Sequence, residues 1–188
     1  MRSRLARFLP VPVVRFDGKT YRLDRDLPQS VGKIRSFLGN IECAVRAYAW
    51  IMNMGPDGLK MVAETSVINH NYLDKLLMEI RGVTRPYASA KRRLEQARYS
   101  LEKLVQDTGV GTEAVRDRMV DFGIQSYWMS HHPWIVPEPF TPEACETYSK
   151  EDIEYWAAVI RRIAEEAYET PDVVLSAPHC QAVTRIKN

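Results

Sequence analysis

The chain has 188 residues, 45% of them hydrophobic, and its 26 basic against 24 acidic side chains leave a net charge of +2. That length suits one domain, slightly oversized, with a real core, and the near balance of charge argues against a global field drawing it to nucleic acid or a membrane surface. Three well-separated cysteines, Cys43, Cys145 and Cys180, argue against a disulfide framework or zinc ribbon and make a reducing, cytoplasmic setting the default.

The amino-terminal MRSRLARFLPVPVV carries arginines before an apolar patch. Pro10 and Pro12 interrupt it and no small-residue cleavage site follows, so it is not read as a targeting signal. No run of 18 apolar residues follows, which excludes a transmembrane helix by length. Residues 10–23 read as a hairpin: Val13, Val14 and Phe16 lead into Asp17-Gly18, and Tyr21 and Leu23 answer. Asp-Gly predicts a type I′ turn there. The stretch SVGKIRSFLGN, Ser30 to Asn40, has glycines at both ends, and Asn40 is a good N-cap.

Ile41 to Met54 is apolar nearly all round, which predicts a buried helix. Gly55-Pro56 ends it, and Pro56 serves as the first residue of a second helix running to about Ile80, with Leu59, Val62, Val67, Leu73, Leu77 and Ile80 as its apolar set. The two are expected to pair antiparallel. Residues 84–106 are ambiguous: Leu94, Ala97, Leu101 and Leu104 keep helical steps, while Ala97, Tyr99 and Leu101 alternate as a strand would. Thr108-Gly109-Val110-Gly111 is a turn, Thr112 opens a helix to about Asp121, and Gly123 ends it. Ser149-Lys150-Glu151-Asp152 resembles a capping box opening an amphipathic helix with Ile153, Trp156, Ala157, Ile160, Ala164, Ala167 and Tyr168 buried and Pro171 as its stop.

Ser126 to Lys150 concentrates aromatics, paired histidines, prolines, acids and a thiol in one loop-like segment. Loops of that length are functional or disordered, and the aromatics argue against disorder. His131 and His132 with Glu138, Glu143, Cys145 and Glu146 offer zinc-type ligands, but neither HxxxH nor HExxH spacing occurs, so no metal is assigned. Cys43 reads as a small core residue. Cys145 is the more plausible reactive thiol, with no fixed base beside it. The glycines of Ser30 to Asn40 fit neither GxGxxG nor GxxxxGK[ST], and the basic run Lys91-Arg92-Arg93 with Arg85 and Arg98 reads first as a solvated helix face.

Several blocks in order resemble one family, the pyridoxal-phosphate-dependent glycine decarboxylase, or P-protein, of the glycine cleavage system. Arg46 to Leu73, RAYAWIMNMGPDGLKMVAETSVINHNYL, is similar to its RAYxYI, MGPEGL and AVLNANYL blocks, and Ser30 to Asn40 to its SIGRVRSFYGN loop. Thr108-Gly109-Val110, Asp121-Phe122-Gly123, Ile135-Val136-Pro137-Glu138, Glu146-Thr147-Tyr148-Ser149-Lys150 and Ala177-Pro178-His179 resemble its TGV, DYG, LIVPE, ETESK and NAPH positions. The likeness covers about residues 8–186.

The resemblance implies an α/β fold, the C-terminal part of a fold-type-I enzyme similar to aspartate aminotransferase, with long helices and a small antiparallel sheet. It implies residues 1–82 as hairpin, loop and helix pair linking to a cofactor domain, and 83–188 as a small C-terminal α/β domain. The family's Schiff-base lysine, stacking histidine and glycine-rich segment lie upstream of the matched part, and no lysine here matches. The chain is therefore expected to carry no catalytic residue itself and to be inactive when isolated. Pyridoxal phosphate would be bound only with a partner chain carrying the lysine domain, and the further partners implied are lipoylated H-protein and glycine or a related amino acid. Arg35 is the expected carboxylate contact, with His131 and His132 at the substrate mouth and Gly32, Ser36 and Asn40 on the cofactor-facing edge.

The chain departs from the family at Glu95-Gln96-Ala97, where the family has His-Glu-Phe, and in HHPWIVPEPFTPEACET, where it has FPLIVPEALMIEPTET. The family likeness favours a strand at Gln96 to Leu101, against propensity. The alternatives are a non-catalytic module that binds a full-length pyridoxal-phosphate enzyme and, more weakly, a phosphate or nucleic-acid binder through Arg85 to Arg98.

Overall fold

A computed structural model describes residues 3–34, 39–87, 92–94, 96–124, 129–130 and 134–182. The chain forms two compact units, Met1–Asn53 and Met54–Asn188.

In the first unit a 3-10 turn, Ser3–Phe8, precedes a hairpin of β1 (Val13–Phe16) and β2 (Tyr21–Asp24). The expected hairpin is there with a different turn. Phe16 pairs with Tyr21, so the loop is four residues long rather than two. Asp17 shapes it, its carboxylate accepting hydrogen bonds from Lys19 N, Thr20 N and Thr20 Oγ1 at 2.9–3.1 Å. Those bonds hold the Asp17 carboxyl below its usual range. The base of the hairpin is stitched by Ser30 Oγ to Leu9 O, 2.5 Å, and Val11 N to Gly32 O, 3.2 Å.

Helix α1 spans Ile41–Met78 and leaves helical geometry at Gly55 (φ 63°, ψ −178°), where a residue with a Cβ would be strained. The break falls where Gly55-Pro56 put it. Residues 41–53 are all exposed, against the burial expected of so apolar a segment. Apolarity supplies the tendency to bury, but no described element lies over this stretch. Cys43, expected in the core, is exposed with it.

The second unit has the hydrophobic core. Leu73 and Leu77 at the end of α1, with Ile80 just beyond it, share a core with β3 (Tyr99–Ser100), α2 (Glu102–Thr108), α3 (Thr112–Asp121), β4 (Pro139–Phe140), α4 (Lys150–Glu169) and α5 (Pro171–Leu175). The ambiguous segment resolves as extended chain at 96–101, with Ala97, Tyr99 and Leu101 buried and Leu94 83% exposed. Alternation wins because β4 and Thr84 offer backbone partners: β3 pairs antiparallel with β4, Tyr99 opposite Phe140, and Thr84 bridges Ser100. The Tyr99 and Phe140 rings stack with centroids 5.2 Å apart.

The helix ends follow local chemistry. Ser149 Oγ accepts from Asp152 N at 3.1 Å while Asp152 Oδ2 accepts from Ser149 N at 3.0 Å, completing the capping box. Helix α4 buries Ile153, Ala157, Ile160, Ala164 and Ala167 as expected, and Val159 and Ile163 besides. Trp156 and Tyr168 pack against the core half-buried. Pro171 starts α5 rather than only stopping α4.

Candidate functional site

Segment 141–148, inside the stretch that stood out in the sequence, is the wall between two cavities of the second unit. The larger, about 620 Å³, has Leu73, Ile124, Ile153 and Trp156 as apolar lining and Glu143 and Asp152 among its polar groups. The smaller, about 400 Å³, lies between α1, through Ser66 and His70, and the residues Gln96, Glu143, Cys145 and Glu146. Glu143 and Ala144 line both.

The wall is pinned by polar residues of α1. Ser66 Oγ donates to Glu146 Oε2 at 3.0 Å, and Asn69 Nδ2 donates to Cys145 O at 2.9 Å and Tyr148 O at 3.0 Å. Gln96 Nε2 donates to Glu143 Oε1. Two residues on, Asn71 clamps the chain before β3: its Nδ2 donates to Arg93 O at 2.7 Å and its Oδ1 accepts from Arg93 N at 3.2 Å. Tyr72 donates its hydroxyl to Glu154, and that bond to a carboxylate raises the phenol's pKa.

The second unit also holds two ionic clusters. Asp74 accepts from Tyr99 OH at 2.8 Å and from Arg85 at 2.6 Å. Burial, followed by the bond to Asp74, pushes the Tyr99 phenol well above its ordinary value. Arg118 forks onto Glu166 (Nε to Oε2 2.9 Å, Nη2 to Oε1 3.2 Å) and reaches Asp121 at 2.8 Å. Burial opposes ionisation of both carboxyls, but Arg118 holds Glu166 below its usual range. For Asp121 the N–H groups of Cys180 and His179 join Arg118 in doing so. Arg85, one of the basic run weighed as a phosphate contact, has a side chain 14% exposed and is spent on Asp74.

The residues expected to meet cofactor and substrate are placed as follows. Gly32, in a left-handed conformation (φ 84°), donates its N–H to Ser30 Oγ at 3.0 Å. Asn40 caps α1, accepting from Cys43 N at 3.2 Å. Arg35, Ser36, His131 and His132 lie outside the described residues. Cys145 Sγ is 3.1 Å from Thr147 Oγ1, a hydroxyl neighbour rather than a cation. Among the described residues no group of three or more His, Cys, Asp or Glu is arranged to hold a metal ion.

Sequence reasoning missed the pins Ser66, Asn69 and Asn71, and His70, 2% exposed on the smaller cavity. Their only signal was polarity inside a helix whose Val67, Leu73 and Leu77 mark a core face.

Pyridoxal phosphate needs a lysine for attachment and cationic or N–H partners for a phosphate dianion. Among the described residues neither cavity is lined by a lysine or arginine, and Glu143, Glu146 and Asp152 set negative charge around them. These two cavities do not fit the cofactor. Among the described residues, no helix is long and apolar enough to cross a membrane.

No family model matches the chain. A "probable glycine dehydrogenase (decarboxylating) subunit 2" of Pyrococcus abyssi is 39% identical over 181 residues, 95% of this chain and 36% of that protein. The protein of the same name from Thermotoga maritima is 37% identical over 187 residues, 99% of this chain and 38% of that protein. A crystal structure of glycine decarboxylase (P-protein) of the glycine cleavage system, in inhibitor-bound form, superposes with a TM-score of 0.63 at 21% identity, covering 85% of this chain and 37% of that one. The superposition shows the fold, that of part of a fold-type-I enzyme with long helices and small antiparallel sheets. The chain is homologous, over nearly all of its own length and little more than a third of theirs, to glycine dehydrogenase (decarboxylating) subunit 2.

Proposed function

We propose that the chain is the C-terminal portion of a glycine-decarboxylase-like enzyme, working with a polypeptide that carries the cofactor-anchoring lysine. The identity of 36–39% along almost the whole chain carries this reading. Pyridoxal phosphate, held by that other portion, supplies the electron sink for decarboxylation of glycine, and lipoylated H-protein takes the aminomethyl group. This chain's part is to build walls: α1 through Ser66, Asn69 and Asn71 fixes segment 141–148 and the approach to β3. Arg35 is the proposed substrate carboxylate contact, His131 and His132 line its mouth, and Gly32, Ser36 and Asn40 border the cofactor. Residues 1–82 form the link to the cofactor portion and 83–188 the small domain. The setting is cytoplasmic.

The test is co-expression with the cofactor-bearing glycine dehydrogenase polypeptide of the same genome. The expected result is a complex with the visible absorbance of bound pyridoxal phosphate that releases CO₂ from glycine when given lipoylated H-protein. The isolated chain is expected to show neither property. A complex without cofactor and without turnover overturns the reading.

A second reading, a non-catalytic module that binds a complete pyridoxal-phosphate enzyme, is favoured by the acidic lining of both cavities, where no lysine or arginine stands among the described residues. It predicts a complex whose turnover equals that of the partner alone.

A further inference from the structure

The first unit has no buried residue among those described. A folded segment without a core gains little from burying apolar surface against itself, yet this one sorts its side chains strictly. The register of β1 and β2 sets Val14 opposite Leu23 and Phe16 opposite Tyr21. Opposed pairs two residues apart share a face, so these four form one apolar face, 65%, 48%, 56% and 75% exposed respectively. The Phe16 and Tyr21 rings lie 4.6 Å apart, centroid to centroid.

The other face carries Arg15 and Arg22 opposite each other, and Val13 opposite Asp24. Arg15 is paired with Asp24 at 3.3 Å. Arg22, Arg25, Lys19 and Lys33 are in no ion pair among the described residues. Residues 1–53 hold ten basic and four acidic side chains, the rest of the chain sixteen and twenty. The near-neutral total therefore conceals a strongly basic unit.

We infer that the β1–β2 hairpin is a docking element, its Val14/Phe16/Tyr21/Leu23 face seating on an apolar patch, and its arginines meeting carboxylates, of one partner protein. Resting on the function proposed above, that partner is the polypeptide carrying the cofactor portion. The apolar face calls for a desolvated patch on it, and charge complementarity calls for acidic groups that reach around the hairpin to its other face, as the two walls of a cleft would. Nearly two-thirds of each relative's own length lies outside the part that this chain matches, which is a body large enough to supply both. A lipid surface fits less well, because amphipathic membrane elements hold their cations around the apolar face, and here Arg15 and Arg22 point to the opposite one.

The experiment titrates the intact chain against that cofactor-bearing polypeptide in a binding assay at low and moderate salt. Two doubly substituted chains run beside it, Phe16→Asp with Tyr21→Asp and Arg22→Glu with Arg25→Glu. The first pair is expected to weaken binding by at least about thirty-fold, the scale of a buried aromatic anchor. The second is expected to weaken it by about ten-fold and to flatten the salt dependence. Thermal melting of the second unit is expected to be unchanged in both, which excludes global unfolding as the cause.

Absence of any complex with the unsubstituted chain overturns the docking element and the enzymatic reading together. A complex that turns over glycine but ignores both pairs overturns the docking element alone. A hairpin-dependent complex without cofactor or turnover leaves docking standing and overturns the enzymatic reading. Self-association of the chain lost in Phe16→Asp/Tyr21→Asp, or hairpin-dependent binding to phosphatidylserine vesicles with no protein complex, overturns the assigned partner.

Discussion

The carboxylate of Glu138 accepts a hydrogen bond from the backbone N–H of Thr112 at 2.7 Å, capping α3 from a loop 26 residues away. Gly111 stands at the N-cap position and offers no side chain of its own. A Cβ there would come within 2.9 Å of Glu138 Oε2. Glu138 itself has φ 46°, a conformation uncommon for a residue with a side chain. The carbonyls of the same turn accept from the end of β3 and the residue after it: Ser100 Oγ donates to Pro137 O at 2.6 Å and Leu101 N to Glu138 O at 2.9 Å. Glu138→Ala is expected to destabilise the second unit by about 1–2 kcal/mol, the value of a lost cap. Gly111→Ala should also cost stability in the native chain and cost less in the Glu138→Ala background, because the clash has gone. Urea denaturation of the four proteins in this cycle measures both effects.

Arg118→Ala leaves Glu166 and Asp121, with side chains 8% and 2% exposed, without their main cation. Breaking such a buried pair from one side costs about 3–5 kcal/mol, read as a large fall in the denaturation midpoint.

The same cluster sets an acid response. Both carboxyls titrate lower in the folded chain than their ordinary 4.5 and 3.8. Their stabilising contribution is therefore complete above those values and is lost as pH falls through the folded ones. Stability of the second unit is expected to fall below about pH 4.5. Glu166→Gln should shallow that fall, and a pH series of melting temperatures checks it.

Tyr99→Phe removes one of the two donors to Asp74 among the described residues and leaves the ring stack on Phe140 in place. The expected cost is about 1–3 kcal/mol, that of a buried acceptor left underserved. Equilibrium unfolding measures it, and an unchanged midpoint would show that water replaces the hydroxyl.

Asn69→Ala removes both bonds that hold Cys145 O and Tyr148 O. Hydrogen exchange is expected to accelerate in segment 141–148 while α4 and β3 keep their protection. If the cavity wall forms part of the assembled enzyme's site, turnover with the cofactor-bearing partner falls in the same variant.

Where a feature depends on neighbours within a few residues, the sequence was enough. The Ser149–Asp152 box, the Asn40 cap, the Gly55-Pro56 break and the existence of the hairpin all rest on bonds or φ restrictions of that short range. The ordered blocks also located the family, because many residues must match in sequence order at once. Tertiary structure decided the rest. Residues 96–101 became extended chain, with a strand at Tyr99–Ser100, because Thr84 and β4 supplied ladder partners. Glu138 became a cap because its loop passes the start of α3. Ser66 and Asn69 became pins because segment 141–148 runs beside α1. In each case the partner lies 16 to 80 residues away, and a residue's own chemistry states what bond it can make but not which distant group will arrive to make it. The exposed apolar faces of the first unit show the same division: alternation and helical spacing marked them as surfaces to be covered, and only the fold showed that no described element of the chain covers them.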